Sequence, residues 1–470
     1  MIWLVGAGPG DSGLLTLRGC EVLKRADVVI YDHLVGEGVL AMIPEHAERI
    51  DAGKVSGAHT LSQREIESLI IEKARAGAGK DVVRLKGGDP YVFGRGGEEA
   101  EALMREGLAF EVVPGVSSAA AVPAYAGIPA THRDYCSGVN IFTAHDKDDL
   151  LPDFADTASI FLMGVANSEA LQERLLLTLS PETPCAVIQD GTTSRQRTHR
   201  MTLSRLHETI RAKDITPPAV IVVGKTAGLN LNWRDSLPLN GKRVIITRPA
   251  GRAETLASRL RDLGAEVIHL PTIRTTTLHG ALDGVDLAGY DWAGFTSVTG
   301  VCALFELLAE SGRDVRELGA AKIAAIGKAT ADALRAHGLR VDYVPEIYDG
   351  VHLAEGLAER GGKVLMFRAK GETDDVGAAF RNYGIDAEHV CIYRIDSVQL
   401  VHIPKFSDTI IFTSASTVRG FCENSTMRNV KAVCIGRQTA DEALRLGFTG
   451  VVIAEQADID SLVKAVLSCS

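Results

Sequence analysis

The sequence predicts an α/β protein built as a pair of α/β lobes followed by a second, bilobed α/β unit. Three observations predict it. Short β-rich apolar runs alternate with amphipathic helical patterns almost throughout, as in layered folds with mainly parallel sheets. A polar, irregular stretch at 229–241 divides the chain near its middle. Beyond it, three sequence blocks recur in the same order, offset by roughly 110–120 residues, a period too long for a solenoid.

The first strands are Ile2–Val5, Asp27–Tyr31, Val82–Leu85 and Phe110–Val113. Leu14–Lys24 and Ser62–Ala76 read as helices between them. The second opens with a capping box, Ser62-x-x-Glu65, and then spaces Ile66, Leu69, Ile70 and Lys73 at helical intervals. A Gly-, Pro-, Ala- and Ser-rich stretch near Pro114–Thr131 divides the first half into lobes of about 1–114 and 115–228. In the second half, Val244–Gly251 matches Val364–Gly371, and Phe295-Thr-Ser297 matches Phe412-Thr-Ser414. Ala325-Ile-Gly327-x-x-Thr330 matches Cys434-Ile-Gly436-x-x-Thr439, so two similar lobes are expected.

The chain has 470 residues, enough for two to four domains at ~100–200 residues each. With 46% hydrophobic and 23% charged residues, it has the composition of a folded globular chain. The most apolar stretch, 109–130, is interrupted by Glu111, Pro114, Pro123 and Pro129, which excludes a membrane helix. A net charge of −10 argues against general nucleic-acid binding. The eight cysteines lie singly, without a CxxC pair, which fits reduced thiols rather than disulfides or a zinc centre. The N-terminus enters a strand directly without a basic leader, so a cytoplasmic location is expected.

Val5-Gly-Ala-Gly-Pro-Gly-Asp11 is a strand-to-helix turn of the kind that binds nucleotides. Asp11 stands where a dinucleotide fingerprint needs glycine, and Pro9 removes an N–H. A structural turn, a nicotinamide cofactor site and another nucleotide-like ligand are the open readings. Ala219–Thr226 ends in Gly-Lys-Thr but lacks the first glycine and the loop of a phosphate-binding motif. Val82–Glu99 is the most informative stretch: a strand ends in Gly87-Gly88-Asp89-Pro90, at the carboxyl edge where α/β sheets bind ligands. Asp89 suits an amino group or ribose hydroxyl, or else belongs to a strand-end turn and caps the next helix. Asp32 and Lys54, at successive strand ends, suit proton exchange with a substrate if the fold brings them together; taken alone, each suits an ion pair or solvated surface better.

Together Val5–Asp11, Tyr31–Val35, Gly53-Lys-x-x-Gly-x-His59, Arg84–Glu99 and Gly127–Arg133 resemble the uroporphyrinogen-III C-methyltransferases of the tetrapyrrole methylase family, over about 1–235. The resemblance implies two lobes with the site between them, a homodimer through this half, and no metal. It implies two methyl transfers from S-adenosylmethionine to uroporphyrinogen III, giving precorrin-2 for cobalamin or sirohaem. By motif, Pro9, Gly87, Gly88, Asp89, Val92, Ser117, Ser118, Met163, Gly191 and Ala219 correspond to cofactor contacts, Asp32 to the proton acceptor and Lys54 to the donor. Departures are small: Ser117 where relatives carry Thr, Ala144 where they carry Gly, and a longer loop at Ala76–Lys80. The dehydrogenase and chelatase steps fused to some relatives are not expected.

Residues 241–470 resemble the uroporphyrinogen-III synthase family through Thr247-Arg-Pro, the Phe-Thr-Ser turns, the Ile-Gly-x-x-Thr helix starts and Cys391-Ile-Tyr393-Arg394. The resemblance implies two Rossmann- or flavodoxin-like lobes, one of 241–272 plus 395–470 and one of 277–391, joined by two crossing strands. It implies cofactor-free closure of hydroxymethylbilane with inversion of ring D. Tyr393 corresponds to a catalytic residue, and Ser297, Ser414 and Thr439 to substrate contacts, although each of these residues also suits capping or turn formation. The alternative for this half is a non-catalytic bilobed tetrapyrrole-binding module.

Overall fold

A computed structural model describes residues 1–53, 61–77, 79–144, 156–249, 251, 253–371 and 375–469. It contains four five-stranded sheets. The first comprises β1 (Ile2–Gly6), β2 (Val28–Tyr31), β3 (Glu48–Asp51), β4 (Val82–Lys86) and β5 (Phe110–Val113), in the order β3-β2-β4-β1-β5. All its pairs are parallel. Helices α1 (Leu17–Lys24), α2 (Glu37–Leu40), α3 (Gln63–Ala76), α4 (Gly96–Arg105) and α5 (Ser118–Tyr125) lie among and after these strands. Thr16 caps α1, which begins later than the apolar pattern suggests because a separate turn, Ser12–Leu14, precedes it. The capping box at Ser62 and Glu65 is formed in full.

The second sheet is mixed: β6 (Gly138–Thr143), β7 (Thr157–Leu162), β8 (Pro184–Gln189), β9 (Arg197–Thr202) and β10 (Ala219–Val223), in the order β6-β7-β10-β8-β9. Helix α5 belongs to its core, where Ala119, Val122 and Ala126 pack with Ile160, Ile188 and Val220.

The second half repeats one layout twice. Strands β11 (Arg243–Ile246) and β12 (Glu266–His269) open the third sheet, and β13 (Ile273–Thr277) crosses into the fourth. The fourth adds β14 (Trp292–Phe295), β15 (Lys322–Ala325), β16 (Val364–Lys370) and β17 (Ala387–Ser397). The chain then returns through β18 (Thr409–Phe412), β19 (Lys431–Cys434) and β20 (Gly450–Ile453) to complete the parallel order β12-β11-β18-β19-β20. The two crossings, β13 and β17, pair antiparallel, with Ile273 opposite Ser397 and Thr277 opposite Tyr393. The repeated blocks occupy equivalent places. Ser297 and Ser414 each cap a helix from an extended backbone, and Gly327 and Gly436 are the N-caps after β15 and β19.

The polar stretch at 229–241 is not a free tether. It contains a helical turn, Trp233–Ser236, and its Leu239 is fully buried in the third-sheet core. Trp233 Nε1 donates to Ala124 O (3.2 Å) in the first half, while Arg234 Nη2 donates to Gly264 O (2.9 Å) in the second. The segment reads as a linker because its apolar anchors are single residues, without period.

Two tests follow from the packing. A Cβ on Gly115 would lie 2.2 Å from Gly88 O and 2.7 Å from Gly6 Cα, whereas one on Gly97 meets nothing within 4 Å. Gly115→Ala is expected to lower the Tm by calorimetry, at a cost of about 1–3 kcal/mol or more, while Gly97→Ala leaves it level or raises it. In the second half, hydrogen bonds from Arg445 and Arg419 hold the Glu442 carboxyl down to about 2. A depressed carboxyl stabilises the fold above its unfolded value and loses that contribution as pH falls towards its folded one. The stability lost in Glu442→Gln, by urea titration, is therefore expected to be full at pH 6 and smaller at pH 4.

Candidate functional site

Three glycines let three loops meet at the carboxyl edge of the first sheet. Gly6 ends β1, Gly88 follows β4 and Gly115 follows β5. A Cβ on Gly6 would lie 2.5 Å from Gly115 Cα and 2.7 Å from Gly88 O. Gly8 and Gly88 exchange backbone hydrogen bonds (3.2 and 2.7 Å), which seats Pro9 beside the Gly87-Gly88 turn. A Cβ on Gly88, at φ 69°, would meet nothing closer than Ser118 N at 3.7 Å, so this backbone surface borders open space.

Asp89 organises that surface. Its Oδ1 accepts from Tyr91 N (2.8 Å) and Val92 N (3.1 Å), and its Oδ2 from Gly115 N (3.0 Å). It therefore caps a turn and ties two loops. The next helix, α4, starts later, from Arg95 in the left-handed region, so Asp89 is not its cap. Ser117 caps α5 by accepting from Ala119 N (3.3 Å), and Ser118 is the first residue of that helix.

Asp32 lies at the end of β2, next to this turn. Its carboxylate accepts from Gly87 N (3.3 and 3.4 Å) and Leu34 N (3.0 Å), and remains 24% exposed. Behind it, Arg84 and Lys86 of β4 point into the buried layer, and both donate to Glu99 Oε1 (3.0 and 2.9 Å). Arg84 Nη2 stands 3.9 Å from Asp32 Oδ2. The two cations are balanced only if both carboxylates are counted, and buried charges of this kind persist when paired. Burial first, and then the neighbouring Arg84, pull the Lys86 ammonium below its ordinary pKa. Lys54 lies outside the described residues.

Met163, Gly191 and Ala219 gather at one end of the second sheet. Val220 pairs with Leu162 and Ala219 with Gln189, placing Met163 and Gly191 one and two residues beyond those strands. A Cβ on Gly191 would strike Val122 at 2.4 Å. Met163 (φ 57°), Asp190 (φ 49°) and Thr192 (φ 68°) are non-glycine residues in the left-handed region, as are Phe93 (φ 52°) and Arg95 (φ 60°) near the first cluster. Each such residue costs of order 1–3 kcal/mol, and such strain gathers at functional sites. The clusters meet: Asp11 N donates to Thr192 Oγ1 (3.2 Å), and Tyr125 donates to Asp11 Oδ2 (2.9 Å). The backbone strain and the Arg84–Lys86–Glu99 array are the features that sequence reading left unassigned. Left-handed Met or Thr has no sequence signal, whereas two cations alternating on an apolar strand, followed by Glu98-Glu99, does.

In the second half, Tyr393 and Ser297 are brought together, with Oη and Oγ 2.9 Å apart. Tyr393 is 2% exposed and borders a cavity with Thr275, Thr277, Thr299, Cys302 and Glu306. Ser414 caps its helix through Thr417 N (3.2 Å), and Thr439 is buried in the first turn of Arg437–Arg445; both belong to the third-sheet lobe, opposite the lobe of Tyr393. Among the described residues, no cluster of three or more His, Cys, Asp or Glu side chains suits a metal, and no helix is long and apolar enough to cross a membrane.

Two family models match the chain: Tetrapyrrole (Corrin/Porphyrin) Methylases over residues 1–207, and Uroporphyrinogen-III synthase HemD over 254–464. The porphyrin biosynthesis protein HemD of Ruminiclostridium josui is 40% identical across 99% of this chain and 97% of its own length. The uroporphyrinogen-III C-methyltransferase of Bacillus subtilis (strain 168) is 39% identical over 73% of this chain and 72% of its own. A crystal structure of uroporphyrin-III-C-methyltransferase from Thermus thermophilus, 39% identical, covers 49% of this chain and 96% of that one at a TM-score of 0.43. The chain belongs to the tetrapyrrole methylase family in its first half and to the uroporphyrinogen-III synthase family in its second. It is a bifunctional enzyme of tetrapyrrole biosynthesis.

The Tyr393–Ser297 contact gives a stability test. Ser297→Ala removes a helix cap and this hydrogen bond together, and is expected to cost about 1–3 kcal/mol in urea unfolding. Tyr393→Phe, which leaves the cap intact, is expected to cost less.

Proposed function

We propose that the second half closes hydroxymethylbilane to uroporphyrinogen III with inversion of ring D, and that the first half methylates this product twice with S-adenosylmethionine to give precorrin-2. The observation that carries the reading is the full-length relative: one chain joins two parts whose proposed product and substrate are the same compound. Precorrin-2 is then available for sirohaem or cobalamin.

The backbone surface at Gly88 and Ser118 fits a ligand without phosphates: it allows close approach to the chain, and Asp11 in the Val5–Asp11 turn would repel a pyrophosphate. When bound, S-adenosylmethionine supplies a methyl group on a sulfonium that is already an activated leaving group. Pro9, Gly87, Gly88, Asp89, Val92, Ser117 and Ser118 line one side of its site, and Met163, Gly191 and Ala219 the other. Asp32 takes the proton released as the pyrrole carbon gains its methyl group, and a proton that Lys54 donates to the macrocycle is matched by a second one lost from it, so that each transfer releases one proton net. The protein's part is alignment and proton transfer. In the second half, Tyr393, with Ser297 as its partner, acts on the linear tetrapyrrole, and Ser414 and Thr439 hold its carboxylates from the facing lobe. The enzyme works in the cytoplasm as a homodimer through its first half.

Anaerobic turnover of hydroxymethylbilane by the whole chain, with products followed by absorbance and mass, tests both steps. Uroporphyrinogen III without S-adenosylmethionine and precorrin-2 with it are expected. Asp32→Asn is expected to retain the first product and to lower methylation by ~100-fold or more. Uroporphyrinogen I alone, the spontaneous product, would remove the synthase reading; an Asp32→Asn enzyme that methylates at the wild-type rate would remove the assignment of that residue.

A further inference from the structure

The Asp32 loop is held from the synthase side. Residues 32–36 run between two loops of the candidate methylation site. A Cβ on Gly36 would lie 2.2 Å from Gly10 O, and one on Gly87 would lie 2.7 Å from Leu34 Cβ. The loop therefore has no slack of its own, and it passes directly into α2. That short helix packs on the other half: a Cβ on Gly38 would approach Ser12 Cβ (3.1 Å) on one side and Val267 O (3.7 Å) of β12 on the other. Ala41, just beyond it, packs on the Ile268, Leu270 and Phe412 cluster.

One buried cation completes the contact. Arg243, the first residue of β11, is 3% exposed at its side chain and pairs through Nη1 with Glu37 of α2. Its Nη2 donates to Glu266 Oε1 (2.8 Å), and its guanidinium lies 4.0 Å over the Phe406 ring. The other oxygen of Glu266 accepts from both Ser194 N (2.8 Å) and Ser194 Oγ, three residues after Gly191. A chain of charge-assisted bonds thus runs from the end of the Asp32 loop, through two synthase residues, to the Gly191 loop of the second methylase lobe. Exposed ion pairs contribute little to stability. This one is covered by an aromatic ring and shares a cation between two carboxylates, the arrangement in which geometry is held most tightly.

We propose that Arg243 and Glu266, although they belong to the synthase half, are positioning residues for methyl transfer: they fix the Asp32 loop and the Gly191 loop relative to each other. The proposal rests on the assignment of Asp32 and Gly191 to the methylation site. Misplacement of reacting groups by about 1 Å costs on the order of 100-fold in rate, so a partial loosening is expected to cost roughly 10-fold.

The test uses the full chain with Glu37→Gln, Glu266→Gln, Arg243→Met, Arg243→Lys and the Glu37→Gln/Arg243→Met double variant. For each, kcat and KM for methylation of supplied uroporphyrinogen III and turnover of hydroxymethylbilane are measured in one preparation. Glu37→Gln is expected to lower methylation kcat about 10-fold and leave hydroxymethylbilane turnover unchanged. Arg243→Met should do the same to methylation, the double variant should be no worse than Arg243→Met alone, and Arg243→Lys should recover part of the loss. If Arg243→Met does not fold, Glu37→Gln and Glu266→Gln, which each leave Arg243 a carboxylate partner, carry the test. Wild-type methylation kcat and KM in Glu37→Gln and Glu266→Gln, with Asp32→Asn inactive, would overturn the proposal and leave the site assignment standing. Wild-type methylation in Asp32→Asn would overturn both.

Discussion

The first half depends on a backbone crossing at which Gly6 and Gly115 have no room for a side chain. Gly6, Gly88 and Gly115 bring the ends of β1, β4 and β5 within direct contact, and the neighbouring elements are arranged around that approach. Asp89 is committed to it, since its carboxylate accepts N–H groups from both loops. Asp32 is drawn in through Gly87, and Pro9 through the Gly8–Gly88 exchange. The result is a surface of backbone without side chains, tied together by its own hydrogen bonds.

The second half follows a different logic. Its two lobes use one local device twice, a strand that ends in a hydroxyl- or glycine-capped helix. Duplication of a motif preserves what the backbone needs, and caps are needed wherever a helix starts. That is why Ser297 and Ser414 are weak functional signals on their own, whereas Thr439 is buried in a first turn that Gly436 caps. Ser297 is set apart by Tyr393 at 2.9 Å, a contact between a helix cap and a strand that lie far apart in sequence.

Much of the layout was legible in the residues. The alternation of β-rich and helical patterns, the Ser62 capping box and the repeated blocks all act locally, so their physics is written in short windows. The Asp89 turn was legible as a turn, but its tie to Gly115 N was not, because that contact closes across the sheet. Left-handed Met163, Asp190 and Thr192 were invisible, since tertiary packing imposes their backbone against local preference. The contacts of the linker at 229–241 were not legible: Leu239, Trp233 and Arg234 have no period, and each finds a separate partner.

That stretch, together with Arg243, gives the synthase half an unequal footing. The third-sheet lobe is bound to the methylase by Leu239, Arg234, Arg243 and Glu266, whereas the fourth-sheet lobe joins it through β13 and β17 and meets the methylase where Arg274 pairs with Glu45 (3.0 Å). The first half is thus a footing for the second: it grips the wall that carries Ser414 and Thr439 through buried partners, and the wall that carries Tyr393 through the exposed Arg274–Glu45 pair.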